Sequence, residues 1–117
     1  MEKPNNLYEK AYAFAIKIIK IYQLLCSEKK EVILSKQLLR AGTSIGANIS
    51  EANGGISKAD FSAKLSIAYK ECLETKYWLS LLKDTNFING EVFQDTYRDA
   101  DELGKILFTI LKASRIK

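Results

Sequence analysis

Residues 57–82, SKADFSAKLSIAYKECLETKYWLSLL, decide the fold. Within them Phe61, Leu65, Ala68, Cys72, Thr75, Leu79 and Leu82 recur at alternating steps of four and three, a heptad seam that a helix turns toward one side. Seams of this spacing pack helices at shallow angles in left-handed bundles. Ser57-Lys58-Ala59-Asp60, just ahead of the seam, has the form of a capping box with Asp in place of Glu and marks the helix start. One amphipathic helix cannot bury its stripe alone, so the remaining chain must supply partners.

It does so on both sides. Upstream, a helix over about residues 31–52 turns Leu34, Leu38, Ala41, Ile45 and Ile49 inward and stops at Asn53-Gly54-Gly55. Before it, residues 7–26 carry Leu7, Ala11, Phe14, Ile18, Tyr22 and Leu25 on one stripe, with Asn5 or Asn6 as N-cap and Ser27-Glu28-Lys29-Lys30 as the break. Downstream, Asp84-Thr85-Asn86 and Asn89-Gly90 bracket a turn, and Phe93, Thr96, Ala100, Leu103, Leu107, Ile110 and Leu111 line a fourth helix. Short connections force antiparallel neighbours. The expected architecture is all-α, an antiparallel up-down-up-down four-helix bundle forming a single domain over residues 1–117.

Composition narrows the function. The chain has 117 residues, 47% apolar and 27% charged, with one proline and no histidine. Such a chain buries about two thirds of its unfolded surface and folds without disulfide or metal. Its apolar stretches are broken by lysines, and its first residues carry no signal core, so we expect a cytoplasmic protein with no membrane span. Without histidine there is no serine or cysteine triad, no carboxylate-histidine metal site and little prospect of a zinc site. Ser44 and Asn48 lack a base to activate a nucleophile, and Asp95, Asp99 and Glu102 beside Arg98 read as a solvated face. We therefore expect no catalytic residue, no metal, no cofactor and no enzyme activity. Cys26 and Cys72 sit among apolar residues and read as core thiols.

The second helix has the most distinctive pattern. Gln37, Arg40, Ser44, Asn48 and Glu51 recur at steps of three or four and form a polar stripe beside the apolar one. Gly42 and Gly46, inside the helix, each cost about 1 kcal/mol relative to alanine. Close approach of another helix over the small surface of Gly42, Gly46 and Ser35 would offset that cost. In a hairpin about Gly54-Gly55, Arg40 lies opposite Lys70 and Glu71 with Glu74 in reach, so a partly buried pair of Arg40 with Glu71 or Glu74 is expected.

Two surfaces exceed what a lone bundle requires. Tyr8, Tyr12, Ala15, Ile19 and Cys26 widen the apolar arc of the first helix, and Trp78 and Leu81 extend a second stripe on the third. They make either a wide core or a subunit interface using Tyr8, Tyr12, Ile19, Trp78 and Leu81. The net charge of +4 lies in the first half, with nine Lys or Arg against five Asp or Glu in residues 1–58 and nine against nine thereafter. Lys3, Lys10 and Lys17 recur every seven residues with Lys20 beside them; Arg98, Lys105 and Lys112 repeat that spacing, followed by Arg115 and Lys117. These stripes are either a solvated face, its field cancelled by Asp99, Asp101 and Glu102, or a strip with weak, sequence-tolerant affinity for RNA or DNA. An assembly scaffold for a protein partner, using the apolar and small-residue faces, is the alternative.

The run QLLRAGTSIGANISEA, residues 37–52, resembles the signature Q-L-x-R-A-x-x-S-I-x-x-N-I-x-E-G of a bacterial four-helix-bundle family named after proteins encoded within intervening sequences of 23S rRNA genes, also labelled a ribosomal protein family. Gln37, Leu38, Arg40, Ala41, Ser44, Ile45, Asn48, Ile49 and Glu51 match it, and the similarity continues through Phe61, Leu65, Ala68, Glu71, Glu74, Tyr77 and Trp78. Ala52 stands where the family usually has glycine, and Gly46 where many members have proline. The resemblance implies a homo-oligomer, a pentameric ring, with no enzyme activity, and kinship with the nucleic-acid-binding accessory protein of diversity-generating retroelements.

Overall fold

The computed structural model describes the backbone of residues 4–116 and the side chains of residues 6–113. Four helices run in order: α1 (Pro4–Glu28), α2 (Ile33–Asn53), α3 (Lys58–Asp84) and α4 (Gly90–Ile116). Sequential neighbours pack extensively, α1 and α4 touch least, and the diagonal pairs do not meet, so the helices occupy the corners of a square in up-down-up-down order. The bundle measures 47 × 22 × 21 Å. No described helix is long and apolar enough to cross a membrane.

The expected stripes supply the core. Phe14, Ile18, Leu38, Ile45, Leu65, Leu79, Leu103 and Leu107 are among its fully or nearly fully buried members. Its buried hydroxyls stay satisfied, since Thr75 and Thr96 each donate to the carbonyl four residues back, at 2.7 and 2.8 Å. One position on α1 is corrected: Ile21 is buried and Tyr22 only half so, since burying a phenol hydroxyl costs more than burying the aliphatic neighbour. Cys72 lies in the core, but Cys26 is half-exposed.

The helix ends show how the chain is turned. Asn5 and Asn6 lie inside the first turn of α1, which begins at Pro4, a residue suited to a position with no N–H to satisfy. α1 ends with Lys30 in the left-handed region at φ 58°, which lets the Glu31 N–H reach back to the Leu25 carbonyl at 3.1 Å. α3 ends the same way through Asn86 at φ 69°, with the Phe87 N–H on the Leu82 carbonyl at 2.8 Å. Gly54 and Gly55 do end α2, but neither has positive φ. Gly55 is favoured by space instead: a Cβ there would lie a tight 3.0 Å from both the Ala52 carbonyl oxygen and Asp60 Oδ2. Ser57 caps α3 by accepting from the Asp60 N–H at 3.0 Å, and Asn89 caps α4 by accepting from the Val92 N–H at 2.8 Å.

α2 begins two residues later than the sequence pattern suggests, because Glu31 caps it from outside. Its carboxylate accepts from the Leu34 N–H at 2.9 Å, the Ser35 N–H at 2.8 Å and the Ser35 hydroxyl at 2.6 Å. Burial opposes its ionisation, but these donors outweigh it and hold the Glu31 carboxyl below the usual glutamate range.

Candidate functional site

α1 packs over both glycines of α2, tightly at Gly42 and with ordinary clearance at Gly46. A Cβ on Gly42 would lie 2.8 Å from Ile18 Cγ1, and one on Gly46 would lie 3.5 Å from the Ala11 Cβ and 3.6 Å from its backbone carbonyl. The small-residue face is therefore used inside the chain. It is covered by α1 and presents nothing to a partner.

The polar stripe of α2 divides. Arg40 reaches across the α2–α3 seam, donating to Glu71 at 3.3 Å and, through its other amino group, to Glu74. Glu74 also accepts from the Trp78 indole N–H at 3.1 Å. The Trp78 and Arg40 donors together hold the Glu74 carboxyl below its ordinary range, and Glu74 in turn raises the guanidinium's affinity for its proton. Arg40 pairs with both carboxylates rather than one, but it is 47% exposed against 17% for Glu71 and 38% for Glu74, so the cluster closes the rim of the seam rather than sitting inside it. Glu51 reaches Lys64 of α3 at 2.8 Å. Asn48 donates to the Ser44 carbonyl of its own helix at 2.9 Å, and Gln37 is exposed. Gln37, Ser44 and Asn48 do not converge with Arg40 on one site. The motif ties α2 to α3.

The two lysine stripes do meet at the α1–α4 seam, but most of their cations are engaged there. Lys17 Nζ lies 2.8 Å from Asp95 and 2.5 Å from Asp99, and Lys10 Nζ lies 3.2 Å from Glu102. Arg98 pairs with Asp95 at 3.1 Å and Lys105 with Asp101 at 3.1 Å, while Lys76 of α3 reaches the same Asp101 at 2.8 Å. Burial opposes the charge on Lys17, yet the two aspartates outweigh it and raise its pKa, while Lys17 holds Asp95 below the usual aspartate range. Lys10 and Lys17 thus clasp α1 to α4 where apolar contact is thinnest. Lys20 and Lys112 are exposed and have no carboxylate partner among the described residues. Lys3 and Lys117 lie outside the described residues, as does the side chain of Arg115. Sequence reasoning weighed cancellation of the field by Asp99, Asp101 and Glu102; the part of Asp95 was missed, although Asp95 and Asp99 stand one turn apart on α4 and point to a shared cation.

The apolar surface is displaced from the expected one on α3. Tyr12 is 58% exposed and leans on half-buried Tyr8, ring centroids 5.9 Å apart, and Ile19 is exposed beside them. Trp78 and Leu81 are half-buried, and the exposed residues of that region are Ile67, Leu73 and Tyr77, with Phe108 of α4 next to Tyr69. Cys72 is buried and its thiol is pushed up to about 12, which leaves it protonated and inert.

Over residues 3–109 the sequence matches the family described as 23S rRNA-intervening sequence protein. No curated protein matches the chain. Among solved structures, the crystal structure of a protein of unknown function from the S23 ribosomal protein family of Bacteroides thetaiotaomicron is 47% identical, with a TM-score of 0.90 over 91% of this chain and 98% of that one.

Proposed function

This chain belongs to the 23S rRNA-intervening sequence protein family, and from that premise we propose that it acts without catalysis, as a bundle that assembles with copies of itself. The observation that carries this reading is the pair of exposed apolar faces, Tyr12 with Ile19 on α1, and Leu73 with Tyr77 on α3. Exposed apolar clusters on a small bundle mark association surfaces. α1 and α3 stand on a diagonal, so the faces look in different directions. Contact of one face with the other is heterologous, and such contacts close into a ring when the rotation per subunit divides the circle. Five subunits is the number the family resemblance implies. In this reading the bundle works in the cytoplasm, where Cys26 and Cys72 stay reduced. Light scattering on the purified chain should return a mass of several subunits at micromolar concentration. A monomer mass would overturn the assembly, and a dimer mass would overturn the ring.

A second reading, binding of RNA or DNA, is favoured by Lys20 and Lys112, which have no carboxylate partner among the described residues. The pairs of Lys10, Arg98 and Lys105 are exposed ones worth about 0–1 kcal/mol, so phosphates can displace their carboxylates. Kinship with the retroelement accessory protein belongs to this reading. Affinity would be weak, sequence-tolerant and steeply reduced by salt. An anisotropy titration with single-stranded RNA at low and moderate salt tests it, and equal binding by a Lys20→Glu, Lys112→Glu variant would contradict it.

A further inference from the structure

Between the second half of α1 and the turn leading into α4 lies an open groove of about 700 Å³. Ile16, Ile21 and Leu24 from α1 and Phe87, Ile88 and Val92 from the opposite side make its floor and wall. The groove follows from the fold: α1 and α4 touch least of the neighbouring pairs, and left-handed Asn86 folds Phe87 and Ile88 back toward the end of α3. Ile16 and Leu24 remain exposed in it.

Its charge is one-sided. Lys17, Lys20 and Lys29 line the groove and no carboxylate does so among the described residues. Lys17 already serves Asp95 and Asp99, whereas Lys20 and Lys29 have no carboxylate partner among the described residues. Two apolar walls, still partly exposed to water, beside cations with no carboxylate partner among the described residues favour an occupant that is apolar on one side and anionic at its edges.

Its shape selects among such occupants. Ala13, Ile16, Lys17, Lys20 and Leu24 share one face of α1, and the lining from Ala13 to Lys29 extends about 24 Å, roughly four helical turns. A helix laid along α1 fits that length. A second copy of this chain fits poorly, because its exposed apolar face on α3 carries Lys70 and would bring like charge to the rim. The geometry points to a docking groove for an acidic amphipathic helix of a partner protein, with apolar residues at i, i+3 or i+4, and i+7 in the floor and carboxylates against Lys20 and Lys29. This inference is distinct from self-assembly, since Tyr12 and Ile19 lie about 100–120° of arc round α1 from the middle of the groove and meet it only at its edge, beside Ile16.

The test uses the full chain and a labelled synthetic peptide of about 16 residues, about the length of the groove, with leucine at the helical spacing and glutamate between. Controls are the same peptide with lysine for glutamate, a scrambled order of the leucine-glutamate composition, and phosphatidylglycerol vesicles. The glutamate peptide should bind at least about tenfold more tightly than either control peptide, Lys20→Glu with Lys29→Glu should reverse the preference, and Leu24→Gln should weaken binding about tenfold. Circular dichroism and light scattering on the variants separate loss of the groove from loss of fold or assembly. Equal affinity for the peptides, no binding at about 100 μM, or full retention of binding by the Lys20, Lys29 variant would overturn the proposal. Binding to vesicles without binding to the peptide would assign the groove to an anionic lipid surface and would overturn it as well.

Discussion

Alanine at Gly42 and alanine at Gly46 should change stability in opposite directions, although both replace a glycine in the middle of α2. Each substitution gains about 1 kcal/mol of helix propensity. At Gly42 the new Cβ meets Ile18 Cγ1 at 2.8 Å, Cγ2 at 3.0 Å and Cβ at 3.3 Å. Ile18 is fully buried and β-branched, so rotation about χ1 replaces one clash with another, and relief needs α1 to move away from α2. Overpacking of that kind costs about 1–3 kcal/mol, and with the propensity gain subtracted Gly42→Ala should come out destabilised by up to about 2 kcal/mol. At Gly46 the new Cβ makes ordinary van der Waals contact with Ala11, nothing closer than 3.5 Å, so Gly46→Ala should keep most of its gain and be stabilised by about 0.5–1 kcal/mol. Urea denaturation of the three proteins, read by far-ultraviolet circular dichroism, measures both differences. An Ile18→Ala background completes the cycle: with the obstructing side chain removed, Gly42→Ala should be neutral or stabilising there. A Gly42→Ala protein more stable than wild type, or the same cost in both backgrounds, would refute the close approach of α1 as the reason for the glycine.

Glu31→Ala should destabilise the bundle by about 1–2 kcal/mol through loss of the α2 cap, seen as a lower urea midpoint, since no other side chain caps that end. Lys30→Gly should raise the melting temperature by a few degrees, because an L-residue held at φ 58° forgoes about 1 kcal/mol that glycine does not. The carboxyls of Glu31, Glu74, Asp95 and Asp101 all have lowered pKa values in the folded chain. Their stabilisation is present above the unfolded values near 4 and is lost as pH falls through the folded ones, so the urea midpoint should hold between about pH 5 and 8 and fall below about pH 4. Arg40→Ala should cost only about 1 kcal/mol, since the exposed rim lets water replace the guanidinium; a loss of 3 kcal/mol or more would show a desolvated pair.

The bundle was legible because its signal is redundant. The seam from Phe61 to Leu82 sets a helical phase over about six turns, and an error at one position leaves the others in register. Tyr22 against Ile21 shows where that redundancy ends: both continue the stripe from Ile18, and which one turns inward depends on the cost of burying a hydroxyl, which periodicity does not weigh. Close approach at Gly42 could be read from the helix penalty, but the same penalty misleads at Gly46, where a Cβ would meet only ordinary contact; the turn at Gly54-Gly55 was placed correctly for a different reason, since crowding at Gly55 and not a left-handed backbone favours glycine there. The Arg40 cluster followed from helix-rise arithmetic across one hairpin. The clasp of Lys10 and Lys17 on α4 joins residues nearly 80 or more positions apart, and their partners depend on the lateral register of two helices that no short turn connects. The α1–α4 groove was illegible for the same reason, because it arises from how far those helices stand apart.

Mixing two broken interfaces tests the self-assembly most directly. Tyr12→Glu spoils the face on α1 and Leu73→Glu the face on α3, and each leaves the other face intact. Native mass spectrometry should find each variant alone as a monomer of about 13.2 kDa and an equimolar mixture as a one-to-one heterodimer that grows no further, because only one good interface can form between them. Monomers alone in the mixture, or assemblies of wild-type size from either variant by itself, would contradict a heterologous ring built from these two faces.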